Sequence, residues 1–267
     1  MSQKIAFFDI DGTLIDVPNG LLHPTQETIH ALHAFQSAGN LIMVATARGT
    51  VPQTIQDIGF DGYICNDGHY ITYHNETIAD ELFDANQIKR LQETFKKFGG
   101  KAIFAGHSGQ WCDCAEDPYI VKHREMFVGS AQKPKDLVES FTNQDVHAIS
   151  CCVLFDSAEM LWNCYAILED AFTMIPYDKG LIRMDVYCKG FSKGSACEYM
   201  YKKLHIAKED SYAFGDGVND VEMLQLVGHG IAMGNAVESL KCVASDVTES
   251  VGNDGIQKTF TRYFGII

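Results

Sequence analysis

Residues 5–14 read IAFFDIDGTL: an apolar run, two aspartates one residue apart, then Gly-Thr. An unbroken apolar run fits a strand buried on both faces of a parallel sheet better than it fits a half-exposed, alternating one. The run delivers Asp9 and Asp11 to its carboxyl end, the edge of an open α/β sheet where ligands bind. A spacing of two puts both side chains on one side of an extended chain. Gly12 permits the sharp turn that follows. Two carboxylates this close disfavour each other's ionisation through repulsion and desolvation, and a cation would compensate them. The commonplace alternative is a solvated, turn-forming Asp-Gly.

Working outward, strand and helix patterns alternate. PTQETIHALHAFQSAG (24–39) sets Ile29, Leu32 and Phe35 on one helical face, with Pro24 near the start and Gly39 as the stop. NLIMVAT (40–46) is a second buried strand, a short helix is expected over 52–58, and GYICN (62–66) is a third strand. This order implies parallel pairing through right-handed crossovers. The pattern then changes. YITYHNETIA (70–79) predicts a hairpin turning at Asn75-Glu76, and ANQIKRLQETFKKFGG (85–100) a helix burying Ile88, Leu91, Phe95 and Phe98. A hairpin across HSG (107–109), a strand over 147–155, a helix over 157–172 burying Leu161, Cys164, Leu168 and Phe172, and strands over 172–178 and 181–188 follow. From SKGSACEYMYKKL (192–204) the strand–helix alternation returns, with helices expected at 219–227 and 235–244. The expectation is an α/β fold in which a catalytic domain, 1–83 and 188–267, is split around an inserted α+β domain, 84–187.

Composition narrows the function. Of the residues, 46% are hydrophobic and 21% charged, enough for a buried core and too apolar for disorder. A formal charge of −14 opposes binding to a polyphosphate backbone, so no nucleic-acid partner is expected. No segment has the apolar length to span a bilayer, and no export signal is evident, so no membrane partner and a cytoplasmic location are expected. Nine cysteines without paired zinc-ligand spacing read as reduced thiols; Cys112-Asp113-Cys114 lacks the second cluster a zinc site needs. No obligate protein partner is evident.

Three further segments carry candidate chemistry. GDGVND (215–220) follows the apolar SYAF and groups the oxygen donors Asp216, Asn219 and Asp220. Magnesium takes few protein oxygens and leaves room for water and phosphate, so Asp9 and Asp216 on neighbouring strands would suit it. The same segment also reads as a helix N-cap. VATARG (44–49) ends a buried strand in Thr46, whose hydroxyl and nearby amides suit an anion. FSKGSA (191–196) puts Lys193 at a helix start, a place for a phosphate clamp or simply for a solvated lysine.

Together, DIDGT at 9–13, Thr46, the Lys193 helix and GDGVND resemble the haloacid dehalogenase superfamily of aspartate-nucleophile phosphohydrolases. KGFSKGSACEYM, YAFGDGVNDVEML and GIAMGNAVESLK look more narrowly like its Cof-type branch, subfamily IIB. The resemblance spans the chain and implies a Rossmann-like core with a parallel sheet and an inserted cap. It implies a phosphatase using Mg2+ on a small phosphorylated metabolite, such as a sugar phosphate. Asp9 would be the nucleophile and Asp11 the acid–base. The metal would sit on the carboxylates of Asp9 and Asp216 and the backbone carbonyl of Asp11. Thr46, Lys193 and Asn219 would hold the phosphoryl oxygens, and Asp220 would orient water or Lys193. A phosphosugar mutase or a non-catalytic phosphometabolite sensor would share these motifs. Two departures stand out: Ala47 where many relatives carry Gly, and NDGHY (66–70) where they often read Asn-Gly-Ala. The second places Asp67 and His69 near the expected core–cap hinge, where they would alter the pocket, with His69 read as structural or solvent-facing and not catalytic. In the cap, Trp111, Tyr119, His123, Arg124, Asp185 and Tyr187 are the candidate leaving-group contacts.

Overall fold

A computed structural model describes residues 2–127, 132 and 134–266. The chain divides into two compact units, Met1–Ala79 with Phe191–Ile267, and Asp80–Gly190. Residues 80–83 and 188–190 thus fall in the inserted unit.

The strands are β1 (Ile5–Phe8), β2 (Leu41–Ala45), β3 (Gly62–Cys65), β4 (Tyr70–Tyr73), β5 (Glu76–Asp80), β6 (Lys101–Gly106), β7 (Gly109–Trp111), β8 (Leu137–Val138), β9 (Ser150–Leu154), β10 (Phe172–Tyr177), β11 (Arg183–Cys188), β12 (Ser211–Gly215), β13 (His229–Ala232) and β14 (Asp246–Val247). The helices are α1 (Gln26–Ser37), α2 (Gln53–Gln56), α3 (Ala85–Lys97), α4 (Pro118–Phe127), α5 (Ala158–Leu168), α6 (Lys193–Lys203), α7 (Val221–Leu226), α8 (Glu238–Lys241) and α9 (Gly255–Phe264).

In the first unit the sheet runs β14-β13-β12-β1-β2-β3-β4-β5, parallel from β14 to β3, with β4 antiparallel to β3. Alternation along β1 explains its apolar sequence. Ile5 and Phe7 join Met43, Ala196 and Met200 on one face, while Ala6 and Phe8 join Phe35, Phe60, Phe214 and Phe260 on the other. Phe8 stacks on Phe214 with ring centroids 5.0 Å apart. Because β1 is central and its neighbours β2 and β12 are reached on opposite sides, the chain crosses over at its carboxyl end, where Asp9 and Asp11 lie.

In the second unit the sheet runs β10-β11-β9-β6-β7-β8, antiparallel except for the β7–β8 pair. One face packs on α3 and α5 through Ile88, Leu91, Phe95, Leu161, Cys164 and Leu168. On the other, Ile103 and Leu154 cluster with Cys112 and with Ile120 of α4. Among the described residues no helix is long and apolar enough to cross a membrane.

Several local expectations change. The hairpin turns at His74-Asn75, both left-handed (φ 47° and 66°), and Glu76 opens β5. A two-residue turn with both φ positive matches the twist of paired strands, and Asn tolerates that region. The helix expected over 157–172 ends at Leu168, because Phe172 pairs with Cys188 as the first residue of β10. Phe98 is the C-cap of α3 and only partly buried. The helix expected at 235–244 is the single turn α8, and Asn219 and Asp220 form a tight turn ahead of α7.

Candidate active site

Four segments of the first unit meet at the carboxyl end of its sheet. Asp9 follows β1, and its N–H continues the pairing by donating to Phe214 O at 3.0 Å. Thr46 follows β2 and is buried. Its hydroxyl accepts from the Arg48 N–H at 3.1 Å. Asp216 follows β12. Lys193 is the first residue of α6, fixed by a capping box: the Ser192 side chain accepts from Ser195 N, and Ser195 returns the bond to Ser192 N.

Lys193 is not solvated. It is 2% exposed, and its ammonium donates to Asp9 Oδ1 at 2.6 Å and to Asp220 Oδ1 at 2.5 Å. Asp220 is wholly buried, and its Oδ2 accepts the N–H groups of Asp216 and Gly217, both at 2.9 Å. Asp220 thus closes the turn ahead of α7, without a side-chain cap to α7 itself, and also anchors the lysine. Asp216 lies against Gly12, where a Cβ would come within 2.0 Å of its Oδ2 and where φ is +83°. Glycine at 12 is thus required by contact and by backbone together.

Oxygens of Asp9, Asp216 and Asp220 lie within 4.8 Å of one another, a three-carboxylate cluster able to coordinate a divalent metal. With both Asp220 oxygens engaged, Asp9 and Asp216 are the carboxylates with donor capacity to spare. Burial pushes Asp9 up to about 8, with Lys193 opposing and Asp220 and Asp216 adding to the rise. Burial, then Asp220, pushes Asp216 up to about 7. Burial works against the Lys193 ammonium, yet contact with Asp220 and Asp9 overcomes it and raises its pKa. Once ionised, three carboxylates against one ammonium leave excess negative charge, and hard oxygen donors in a cluster this tight fit a cation such as magnesium.

Asp11 points elsewhere. Arg48 grips it in a bidentate pair, Nε to Oδ2 at 2.6 Å and Nη2 to Oδ1 at 2.7 Å, with about half of each side chain exposed. Asn219 is exposed, and its side chain hydrogen-bonds the Asp67 carboxyl, which is buried and raised in pKa chiefly by that burial. The Asp67 N–H donates to Thr46 O at 3.1 Å, so this turn links the Thr46 and Asn219 segments. His69 is fully buried, its Nδ1 2.8 Å from Asn66 O.

Sequence reasoning missed Arg48, Thr13 and Asn235. The Thr13 hydroxyl lies 3.5 Å from Asp216 Oδ1, and the Asn235 amide donates to Gly12 O at 2.7 Å. Arg48 stood in the quoted VATARG and Asn235 in GIAMGNAVESLK, but only the folded sheet brings them to Asp11 and Gly12. In the second unit Trp111, Arg124 and Tyr187 are buried. Tyr119 lies under the Lys101 ammonium, His123 Nε2 is 3.5 Å from Cys152 Sγ, and Asp185 pairs with Arg183 at 2.7 Å.

Known proteins resemble this chain in sequence and fold. The family described as haloacid dehalogenase-like hydrolases matches residues 6–260. YkrA of Bacillus subtilis is 28% identical over 263 residues, covering 96% of each chain. The phosphatase YwpJ of the same organism is 26% identical over 282 residues, covering 95% of this chain and 97% of its own. Among solved structures, the subclass IIB sugar phosphatase BT4131 superposes with a TM-score of 0.79 at 26% identity, over 99% of this chain and 100% of its own. The extent of the family match, the largely parallel core with its α+β insertion and the aspartate cluster at the strand ends lead to one assignment. The chain belongs to the haloacid dehalogenase-like hydrolases and is an enzyme of their phosphatase type.

Proposed function

We propose that the enzyme is a magnesium-dependent phosphomonoester hydrolase of the Cof-type, subfamily IIB branch, acting on small phosphorylated metabolites, sugar phosphates among them. The observation that carries this reading is the buried Lys193 ammonium held between Asp9 and Asp220, next to the strand-end carboxylate of Asp216. It provides a fixed cation at a nucleophile and leaves two carboxylates for a metal. Similarity to the subclass IIB sugar phosphatase supports the branch and the substrate class.

In this reading the Asp9 carboxylate attacks phosphorus, and the ester P–O bond breaks as Asp11 gives a proton to the leaving alkoxide. Water then attacks the same phosphorus, Asp11 takes up its proton, and Asp9 departs as a carboxylate. The Arg48–Asp11 pair must part before Asp11 carries a proton; for a half-exposed ion pair that costs roughly 0.2–1 kcal/mol. Thr46, Lys193 and Asn219 hold the phosphoryl oxygens and stabilise charge as it develops. Magnesium, when bound, offsets the negative charge of the phosphoryl group and of Asp9. The Asp9 and Asp216 carboxylates and the Asp11 backbone carbonyl would hold it, while Asp220 fixes Lys193.

The test is a panel of phosphorylated sugars, nucleotides and vitamin precursors, assayed with and without magnesium for free phosphate and for isomerised sugar. Metal-dependent release of phosphate is expected. Isomerised sugar without free phosphate would instead identify a mutase, and tight binding without turnover a sensor.

A further inference from the structure

Seven of the nine cysteines have a plain structural account. Cys65, Cys151, Cys152, Cys164, Cys188 and Cys197 are pushed up by burial and so held as thiols. Cys242 stands alone on the surface. Cys112 and Cys114 differ from all of these. Their sulfurs lie 3.8 Å apart across the turn that leads from β7 into α4. The hydrogen bond between them lowers the Cys112 thiol and raises the Cys114 thiol, so the first proton to leave belongs to the pair. Burial and the neighbouring Asp113 carboxylate oppose the lowering, while the Cys114 backbone and, least, the field of Arg124 add to it. Cys112 is buried, but Cys114 is half-buried and lines a cavity of about 470 Å³ with Lys96, Lys101, Phe104 and Phe141. A small oxidant therefore has access to the Cys114 sulfur, which becomes the thiolate when its proton passes across the hydrogen bond to Cys112.

We infer that Cys112 and Cys114 form a reversible oxidation site that closes to an intramolecular disulfide on exposure to peroxide. The thiolate of the pair attacks the peroxide O–O bond, an S–O bond forms and hydroxide leaves. The neighbouring thiol sulfur then attacks that sulfur. The S–S bond forms, the S–O bond breaks, and the oxygen departs as water with the thiol proton. The balance is two thiols and one hydrogen peroxide to one disulfide and two waters. Closure takes the sulfurs from 3.8 Å to about 2.05 Å, a distance side-chain rotation covers. A ring this small gains little from loop entropy, so a dithiol reductant reopens it.

The experiment treats the native, full-length protein with hydrogen peroxide at about equimolar ratio, alkylates free thiols, digests with trypsin and reads peptide 102–122 by mass spectrometry. That peptide contains only these two cysteines. The expected result is a peptide that has lost two hydrogens and takes up no alkyl group, and that takes up two after reduction with dithiothreitol. In C112S the same treatment leaves a sulfenic acid at Cys114, the sulfur that faces the cavity, and dimedone traps it. The inference is overturned if both cysteines still alkylate after peroxide, if Cys242 oxidises before the pair, or if the pair goes to sulfinic acid without passing through the disulfide.

Discussion

Lys193 and Asp67 set the electrostatics at the residue scale. Lys193 neutralises part of a buried carboxylate cluster, so Lys193→Met leaves Asp9 and Asp220 facing each other uncompensated. We expect a loss of about 3–5 kcal/mol of stability by denaturant titration, as for other buried pairs broken on one side. Magnesium should recover part of that loss. Asp67 has the opposite sign. It is 7% exposed and its Oδ1 accepts no hydrogen bond, so its charge costs stability. Asp67→Asn should raise the midpoint of unfolding, by about 1–3 kcal/mol in free energy; a lower midpoint would mean that the carboxylate is stabilising. Asp9 and Asp216 were legible as site residues because each ends an apolar strand. The burial of Lys193 was not, since a lysine opening a helix is usually solvated and only the approach of β1 and α7 closes around it. The Arg48 grip on Asp11 was equally hidden, because it joins the ends of two strands 37 positions apart in sequence.

Helix α6 is the element that aims Lys193. Its Ser192 cap satisfies backbone donors at the same end, so Ser192→Ala should cost about 1 kcal/mol in denaturant unfolding. Turnover should fall by more than the lost stability explains. Gly194 lets α6 approach α7: a Cβ there would lie 2.7 Å from the backbone at Glu222 and Met223. Gly194→Ala should therefore lower both the melting temperature and phosphate release, and unchanged values would mean that α6 does not hold the lysine in place. The strands of the first unit were readable because those buried on both faces are uniformly apolar, as β1 and β2 are. Ends and turns were less so. Phe172 satisfies a helical period as well as a strand, and its pairing with Cys188 decided the matter.

At the scale of the whole molecule, the site couples proton binding to stability, and the proposed metal enters the same balance. Asp9 and Asp216 are raised from 3.8 to about 8 and about 7, chiefly by burial. The folded chain thus holds these protons more tightly than the unfolded chain does. That contribution to stability is fully present below the unfolded value of 3.8 and is lost as pH rises through 7 to 8. A divalent cation binds the ionised carboxylates, so its stabilisation grows over the same range. The metal-free melting temperature should fall between about pH 5.5 and 8.5, and the increment from added magnesium should be larger at the higher pH. Equal increments at both would place the metal elsewhere. The central claim is that Asp9 takes the phosphoryl group. The most direct measurement is to mix enzyme, magnesium and a hydrolysed phosphomonoester, quench within the first turnover and reduce any acyl phosphate with borohydride. Homoserine at position 9 in the wild type, with neither homoserine nor phosphate release in Asp9→Asn, is the result expected. Phosphate release with no reducible adduct at position 9, or full activity in Asp9→Asn, would contradict it.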